Sequence, residues 1–342
     1  MKKILTASFL LCFYLLGNAQ DVHFSQFYNS PLSLNPALTG KLNGVFRFSL
    51  TYRNQWFSLI KGTPYATYAG SFDAPLQFRN DAVGLGLLII HDRAGDGLLN
   101  NFMAMASVAY HKSLDKKGRH VISLGVQAGY NQKHLDMTRA VFYTQLDPLN
   151  PNYPSGENIT EDTKRFFDLN LGLMANSKFS EKASAYLGFS VFHLTQPNES
   201  FLQGDDNLPV RYVAHGGAEY LFHKRIALLP SLIYMRQRQA DELNLGTACV
   251  FKLTETENTL FYLGAFFRML PSSKANGSNL DDAFVAYTAF EYRNFRLAFS
   301  FDATTSDLAA TPKAAGAFEV SLMYVHPFPY PQLKQLLFCP RF

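Results

Sequence analysis

Period-two alternation is the feature that most restricts what this chain can become. In "VFRFSLTYR" (45–53), Phe46, Phe48, Leu50 and Tyr52 fall on one side of an extended backbone, and Arg47, Ser49, Thr51 and Arg53 on the other. "VISLGVQAGYN" (121–131), "FDLNLGLMAN" (167–176) and "NFRLAFSFD" (294–302) divide in the same way. A helix would scatter these residues around its axis, whereas a strand sends successive side chains to opposite faces. Fourteen such segments are predicted, starting near residues 44, 65, 82, 101, 119, 166, 183, 211, 225, 242, 259, 282, 294 and 315. Most run to about ten residues, the length of a tilted strand that crosses a bilayer.

Two soluble architectures compete with a membrane barrel. A propeller would use shorter strands in visible repeats, and a sandwich seldom carries so many long ones. The connectors separate the cases. Compact joins at 77–81, 112–118, 177–182, 223–224, 253–258 and 293 alternate with larger ones at 54–64, 93–100, 132–165, 194–210, 237–241, 270–281 and 303–314. Outer-membrane barrels sort their loops this way, with short periplasmic turns and longer external loops; a sandwich has no reason to. The expectation is an all-β transmembrane antiparallel barrel spanning 44–327, with both termini periplasmic. Phe, Leu, Val and Tyr would meet lipid, and Arg, Ser, Asn, Gln and Gly the lumen. Tyrosines near strand ends (Tyr52, Tyr110, Tyr130, Tyr220, Tyr234, Tyr292, Tyr324) fit interfacial girdles, although aromatics favour strands in any case.

The flanks agree with export. Residues 1–19 combine a basic "MKK", a short apolar run and a small residue before Gln20, which reads as a cleaved signal peptide. The composition is 47% hydrophobic and 15% aromatic, with a net charge of only +4. Lys and Arg are scattered, so no nucleic-acid surface is expected. After residue 19 no apolar run reaches the length of a membrane helix. Cys249 and Cys339 make no disulfide framework.

Chemistry is sparse. His23 and Ser25 sit at i and i+2, but no third member of a hydrolytic set is apparent. His91, Asp92 and Asp96 read as turn residues, and the remaining histidines have no metal-ligand spacing. No catalytic, cofactor or metal site is expected; an outer-membrane hydrolase is the weakest of three functional readings. A hairpin around 54–64 would place Arg47 nearly opposite Asp73, both facing the lumen, as a cross-strand ion pair worth about 0.2–1 kcal/mol.

Three stretches go beyond pattern: "HFSQFYNSPLSLNPALTG" (23–40), "YRNQW" (52–56) and "TPYATYAGSFDAPL" (63–76). Through Gln26, Asn35, Pro36, Ala37 and Gly40, then Arg53, Gln55 and Trp56, then Ser71, Asp73 and Leu76, they resemble the N-terminal signature of the PorP/SprF family. "MTRAVFYTQLDP" (137–148) and the final "CPRF" extend the likeness along the chain. The resemblance implies a non-enzymatic outer-membrane barrel of the Bacteroidetes type IX secretion and gliding machinery. Its partners would be outer-membrane lipid, the type IX translocon and a sorting-domain cargo such as an adhesin, or a periplasmic lipoprotein or peptidoglycan-binding protein. Residues 20–43 are then expected to plug the lumen or dock a partner, with Asn35-Pro36 fixing a turn; a disordered leader is the plainer alternative. Trp56 would line the outer mouth or serve as an interfacial aromatic, and Cys339 in the tail 328–342 would meet a partner or help seal the barrel. A passive porin is the rival reading, since Gly84, Gly86, Gly125 and Gly129 leave space for an open lumen.

Overall fold

A computed structural model describes residues 21–57, 65–78, 80–94, 98–137, 162–201, 204–254, 259–271, 281–305, 316–329 and 337–340. The signal segment, most of the 137–148 motif and the last two residues lie outside them. Fourteen antiparallel strands form a closed barrel. They are β1 (Phe46–Gln55), β2 (Tyr65–Phe78), β3 (Asp81–Ala94), β4 (Leu99–Ser113), β5 (His120–Leu135), β6 (Thr163–Lys178), β7 (Ala183–Phe192), β8 (Arg211–His223), β9 (Ile226–Gln237), β10 (Ala240–Lys252), β11 (Thr259–Met269), β12 (Asp281–Tyr292), β13 (Phe295–Thr304) and β14 (Ala317–His326). Each begins within three residues of the start read from the alternation. The seam closes by pairing β1 with β14, from Phe46↔His326 to Gln55↔Ala317.

The two faces divide as the alternation requires. Phe48 and Leu50 are 40% and 43% exposed on the outer surface, while the preceding Arg47 is 4% exposed inside. Leu85, Leu87 and Ile89 on β3, and Leu297 and Phe299 on β13, continue the outer belt. So large an exposed apolar surface fits a lipid contact and not water. β5 and β6 run to 16 residues, longer than a bilayer crossing needs, so this side of the wall rises beyond the membrane.

One rim carries the connections 79–80, 114–119, 179–182, 224–225, 253–258 and 293–294; the other carries 56–64, 95–98, 136–162, 193–210, 238–239, 270–280 and 305–316. The sorting of loops by rim holds with two exceptions, the first being 95–98, which is shorter than 114–119 and 253–258 on the other rim. In the second, Arg238 and Gln239 form a two-residue turn on the long-loop rim, because the β9–β10 ladder continues to Ala240↔Gln237 and Arg238 takes up the turn at φ +53°.

The lumen departs from expectation in its chemistry. Alongside the inward polar residues lie Leu88, Ile90, Met105, Met174, Val213 and Ile233, all buried. They are buried because residues 21–43 run down the inside of the barrel and pack on them. Phe24 and Leu32 meet Ala69, Leu88, Ile90 and Met105 on β2–β4. Phe27, Leu34, Ala37 and Leu38 meet Met174, Tyr186, Phe192, Val213 and Ile233 on β6–β9. Fourteen strands enclose more room than wall side chains fill, and this segment takes part of it.

The first described residue lies at the opposite end of the lumen from the start of β1. Phe46 and His326 share the short-turn rim, as an even strand number demands. Asp21, however, contacts His193, Arg211 and Gln237 at the long-loop end. Strand parity fixes the ends of the wall and not a leader that runs antiparallel to β1 inside it.

Candidate functional site

The lumenal segment owes its shape to two prolines and an asparagine. A 3₁₀ turn (Phe27–Asn29) leads into α1, a single helical turn (Pro31–Leu34), and a second 3₁₀ turn (Pro36–Leu38) follows. Each proline begins its turn, where its missing N–H costs nothing. Asn35, preceding a proline, is extended at φ −159°, ψ 122°. Its side chain accepts from Ala37 N at 2.8 Å and caps the second 3₁₀ turn. The same amide reaches the wall, donating to Leu173 O at 3.1 Å and to His215 Nε2 at 3.0 Å. Asn35 is thus both the bend and a wall anchor, and it is fully buried.

Glycines in the wall make a seat for this bend. A Cβ at Gly125 would lie 2.3 Å from Pro36 C, one at Gly172 2.0 Å from Asn35 Oδ1, and one at Gly84 1.9 Å from Thr39 O. Gly86 faces the Leu32 and Thr39 side chains. Two of the four glycines read as leaving an open lumen, Gly84 and Gly125, are therefore where the backbone of the segment comes closest, and Gly86 receives its side chains; Gly129 instead approaches Ala104 and Met105 on β4.

At the short-turn end, Arg47 and Asp73 are register partners on β1 and β2. Arg47 Nε and Nη2 donate to the two Asp73 oxygens at 2.9 and 2.8 Å. Asp73 Oδ2 also accepts from Gly40 N at 2.7 Å, and Arg47 reaches the Leu38 and Lys41 carbonyls. The pair clamps the last turn of the segment as well as two strands. Gly40 holds φ +71°, the left-handed region that glycine enters without strain. His111 Nε2 donates to Thr39 O at 2.8 Å, which leaves Nδ1 to accept from Ser123 Oγ, itself the acceptor for Lys41 Nζ at 3.1 Å. Burial pushes Lys41 down to about 8.

The densest contacts lie toward the long-loop end. Glu319 on β14 accepts from Ser25 N at 2.6 Å and Gln26 N at 2.8 Å. Gln26 Nε2 donates to Ser300 Oγ and Glu319 O, and its Oε1 accepts from Ser321 and Asn29. Ser25 Oγ donates to Asp302 at 2.6 Å. Arg53 pairs with Asp302 and Glu319, and Arg268 with Asp302 and Asp282. Two guanidiniums thus balance the carboxylates that hold the segment, which satisfies the rule that buried charge must be paired. Ser25 is committed to this network, and His23 bonds Asp21 O and Glu242 instead; the two do not form a nucleophile and base. Burial, with Arg53 and Arg268 nearby, lowers His23 to about 3, so it is neutral at pH 7.

At the top, His193 lies between two carboxylates, Asp168 Oδ2 on Nδ1 and Asp21 Oδ2 on Nε2, each at 2.5 Å. Burial opposes its charge, but Asp21 and Asp168 outweigh that and raise it to about 9. Asp21 is held well below the usual carboxylate range, because His193 and Arg211 overcome the opposing effect of burial.

The residues singled out in sequence therefore separate. Gln26, Asn35, Pro36 and Gly40 lie in the lumenal segment, with Arg47 and Asp73 at its foot. Trp56 is on the long-loop rim, at φ +56° and edge-on to Tyr65 at 5.1 Å. Cys339 is at the opposite rim; it and Cys249 are both free thiols. Sequence reading missed Arg268, Asp302, Glu319, His193 and His215 as a set. Their one available signal was ionisable residues on the inward side of the alternation.

A family model described as "Type IX secretion system membrane protein PorP/SprF" matches residues 16–324. No curated protein matches the chain in sequence. Among solved structures, the CymD monoaromatic hydrocarbon channel superposes with a TM-score of 0.50 at 11% identity, covering 87% of this chain and 93% of that one. The P. putida toluene transporter TodX gives 0.50 at 9% identity over 86% and 93%. A TodX deltaS2S3 mutant gives 0.51 at 9% over 86% and 94%. At such identities the likeness concerns the outer-membrane barrel fold.

Proposed function

Since this chain belongs to the PorP/SprF family of type IX secretion system membrane proteins, we propose that it is a closed, non-enzymatic outer-membrane barrel that serves as an attachment point in that machinery. It holds a sorting-domain cargo such as an adhesin at the surface, or assists its export, and offers its short-turn rim to periplasmic components. One observation carries the reading: residues 21–43 are tied to the wall at the top, the middle and the foot of the lumen. Glu319 holds Ser25 and Gln26, Asn35 reaches Leu173, and Asp73 holds Gly40. A pore for solutes gains nothing from filling its lumen with fixed side chains, whereas a scaffold gains rigidity. Short turns face the periplasm in outer-membrane barrels, which puts Trp56 and Asp21 toward the exterior and Cys339 toward the periplasm.

Two measurements on the full-length protein test this. In planar bilayers it is expected to show no steady porin-type conductance, and from gently solubilised membranes it is expected to copurify with type IX components or a large cargo. Steady open-channel current from protein that copurifies with nothing would replace this reading with a porin.

A further inference from the structure

Beside the foot of the lumenal segment the barrel is not filled. Two adjoining cavities of about 550 and 330 Å³ open at the short-turn rim, and Glu219 and Phe338 border both. Their sizes are those of ligand sites. The larger reaches inward to Tyr28 of the segment and is lined by Lys41, Arg293 and Cys339. In the smaller, Lys182, Lys224 and Arg225 converge from two successive hairpin connections and Lys252 from the end of β10.

Among the described residues around the smaller cavity, five basic side chains (Lys178, Lys182, Lys224, Arg225 and Lys252) face two acidic ones, Glu181 and Glu219. Lys178 pairs with Glu181 at 2.7 Å and Arg296 with Glu291 at 2.9 Å. Among the described residues, no acidic side chain pairs with Lys182, Lys224 or Lys252. Like charges around a concave wall of low dielectric concentrate a field that a counter-charge relieves. The basic groups border the cavity itself, so a ligand that reaches them from the aqueous side enters the lumen.

We propose that this vestibule receives an acidic, extended segment of a periplasmic protein. Carboxylates pair with Lys182, Lys224 and Lys252, and the chain runs past Phe338 toward Tyr28. The inference deepens the attachment role and rests on it for the side of the membrane. Binding in detergent does not depend on that orientation, so its failure would leave the closed-barrel reading, whose readout is conductance, intact.

The test uses the full chain in detergent and a fluorescein-labelled octaglutamate peptide followed by anisotropy. Saturable binding that weakens with added salt is expected. The triple variant Lys182→Glu, Lys224→Glu, Lys252→Glu, all at a rim connection or strand end, is expected to lose about tenfold or more in affinity, a change of about 1.4 kcal/mol. Arg238→Glu on the opposite rim should bind as the parent does. In a Cys249→Ser background, a bulky maleimide on Cys339 should block the peptide. No saturable binding, equal loss in the Arg238 control, or binding unaffected by the Cys339 adduct would overturn the proposal. So would vesicles of phosphatidylglycerol binding with the same lysine dependence while the peptide does not.

Discussion

Replacing Gly125 by alanine isolates the seat of the lumenal segment from the rest of the barrel. The added Cβ would lie 2.3 Å from Pro36 C and 2.4 Å from both Pro36 O and Ala37 N. All three are backbone atoms, so no rotamer change relieves the overlap. Restoring ordinary contact takes about 1 Å of movement, by comparison with the 3.4 Å at which a Cβ on Gly70 would merely touch Leu50. A shift of that size breaks the 3.1 Å bond from Asn35 to Leu173 O and the 3.0 Å contact with His215. Two lost hydrogen bonds contribute about 1 kcal/mol each, and overpacking against Pro36 and Ala37 adds about 1–3 kcal/mol. The ties at Ser25, Gln26 and Gly40 remain, so the middle of the segment loosens without leaving the barrel. At about 1.4 kcal/mol per tenfold, a loss of about 3–5 kcal/mol speeds amide exchange in the peptide covering 31–41 by roughly 100- to 4,000-fold. Hydrogen–deuterium exchange with mass spectrometry reads this directly, with peptides from β3 and β9 as references and Gly70→Ala as a variant with no effect on 31–41. If Gly125→Ala leaves exchange over 31–41 within a factor of three of the parent, Pro36 and Ala37 do not rest on β5 and the argument is refuted.

Other perturbations reach the remaining ties. Glu319→Gln removes a carboxylate that accepts from Ser25 and Gln26 and pairs with Arg53; because Asp302 still neutralises Arg53, the loss should be about 3 kcal/mol, the low end for breaking a buried pair. It should appear as a lower temperature for converting the folded band to the unfolded one on a gel. Asn35→Ala removes a cap and two wall contacts, at a cost of about 1 kcal/mol for the cap alone, and should raise exchange at Ala37 and Leu38 while Ser25 stays protected. The Asp21–His193–Asp168 latch depends on pH with a definite sign: its folded pKa of about 9 lies above the ordinary 6.5. Its stabilisation is complete below about pH 6.5 and is lost as pH rises through about 9. Exchange over 21–27, corrected for its intrinsic rate, should rise across that window, and His193→Gln should abolish the dependence.

The wall was legible in the sequence because a strand with lipid on one side must alternate, and Phe48, Leu50, Arg47 and Ser49 record that without reference to anything distant. The Arg47–Asp73 pairing was legible for the same reason, since one hairpin sets its register. The contents of the lumen were not. Met105, Met174 and Ile233 occupy inward positions that alternation assigns to polar residues, and they make sense only when Leu32, Leu34 and Leu38 lie against them. Glycine carries the same ambiguity: an absent side chain marks either empty space or another backbone, and Gly84 and Gly125 are the second case. The group around Asp302 draws on Ser25, Arg53, Arg268 and Glu319, residues too far apart in sequence for any local pattern to join. Arg238–Gln239 escaped because a tight hairpin at the rim looks, in sequence, like the end of two long strands.

The path of residues 21–43 dictates an order of assembly. Their ties cross the seam: Arg53 on β1 and Glu319 on β14 meet at Ser25 and Gln26. A finished cylinder would have to be threaded from the short-turn side, against its own packing. A sheet curling around a strand of chain already laid along its inner face meets no such obstacle. The leader then acts as a mandrel on which the last pair of strands is brought into register, and shutting the barrel and filling it become one step. Deleting it should therefore give fewer barrels that reach the membrane folded, and not a population of open ones.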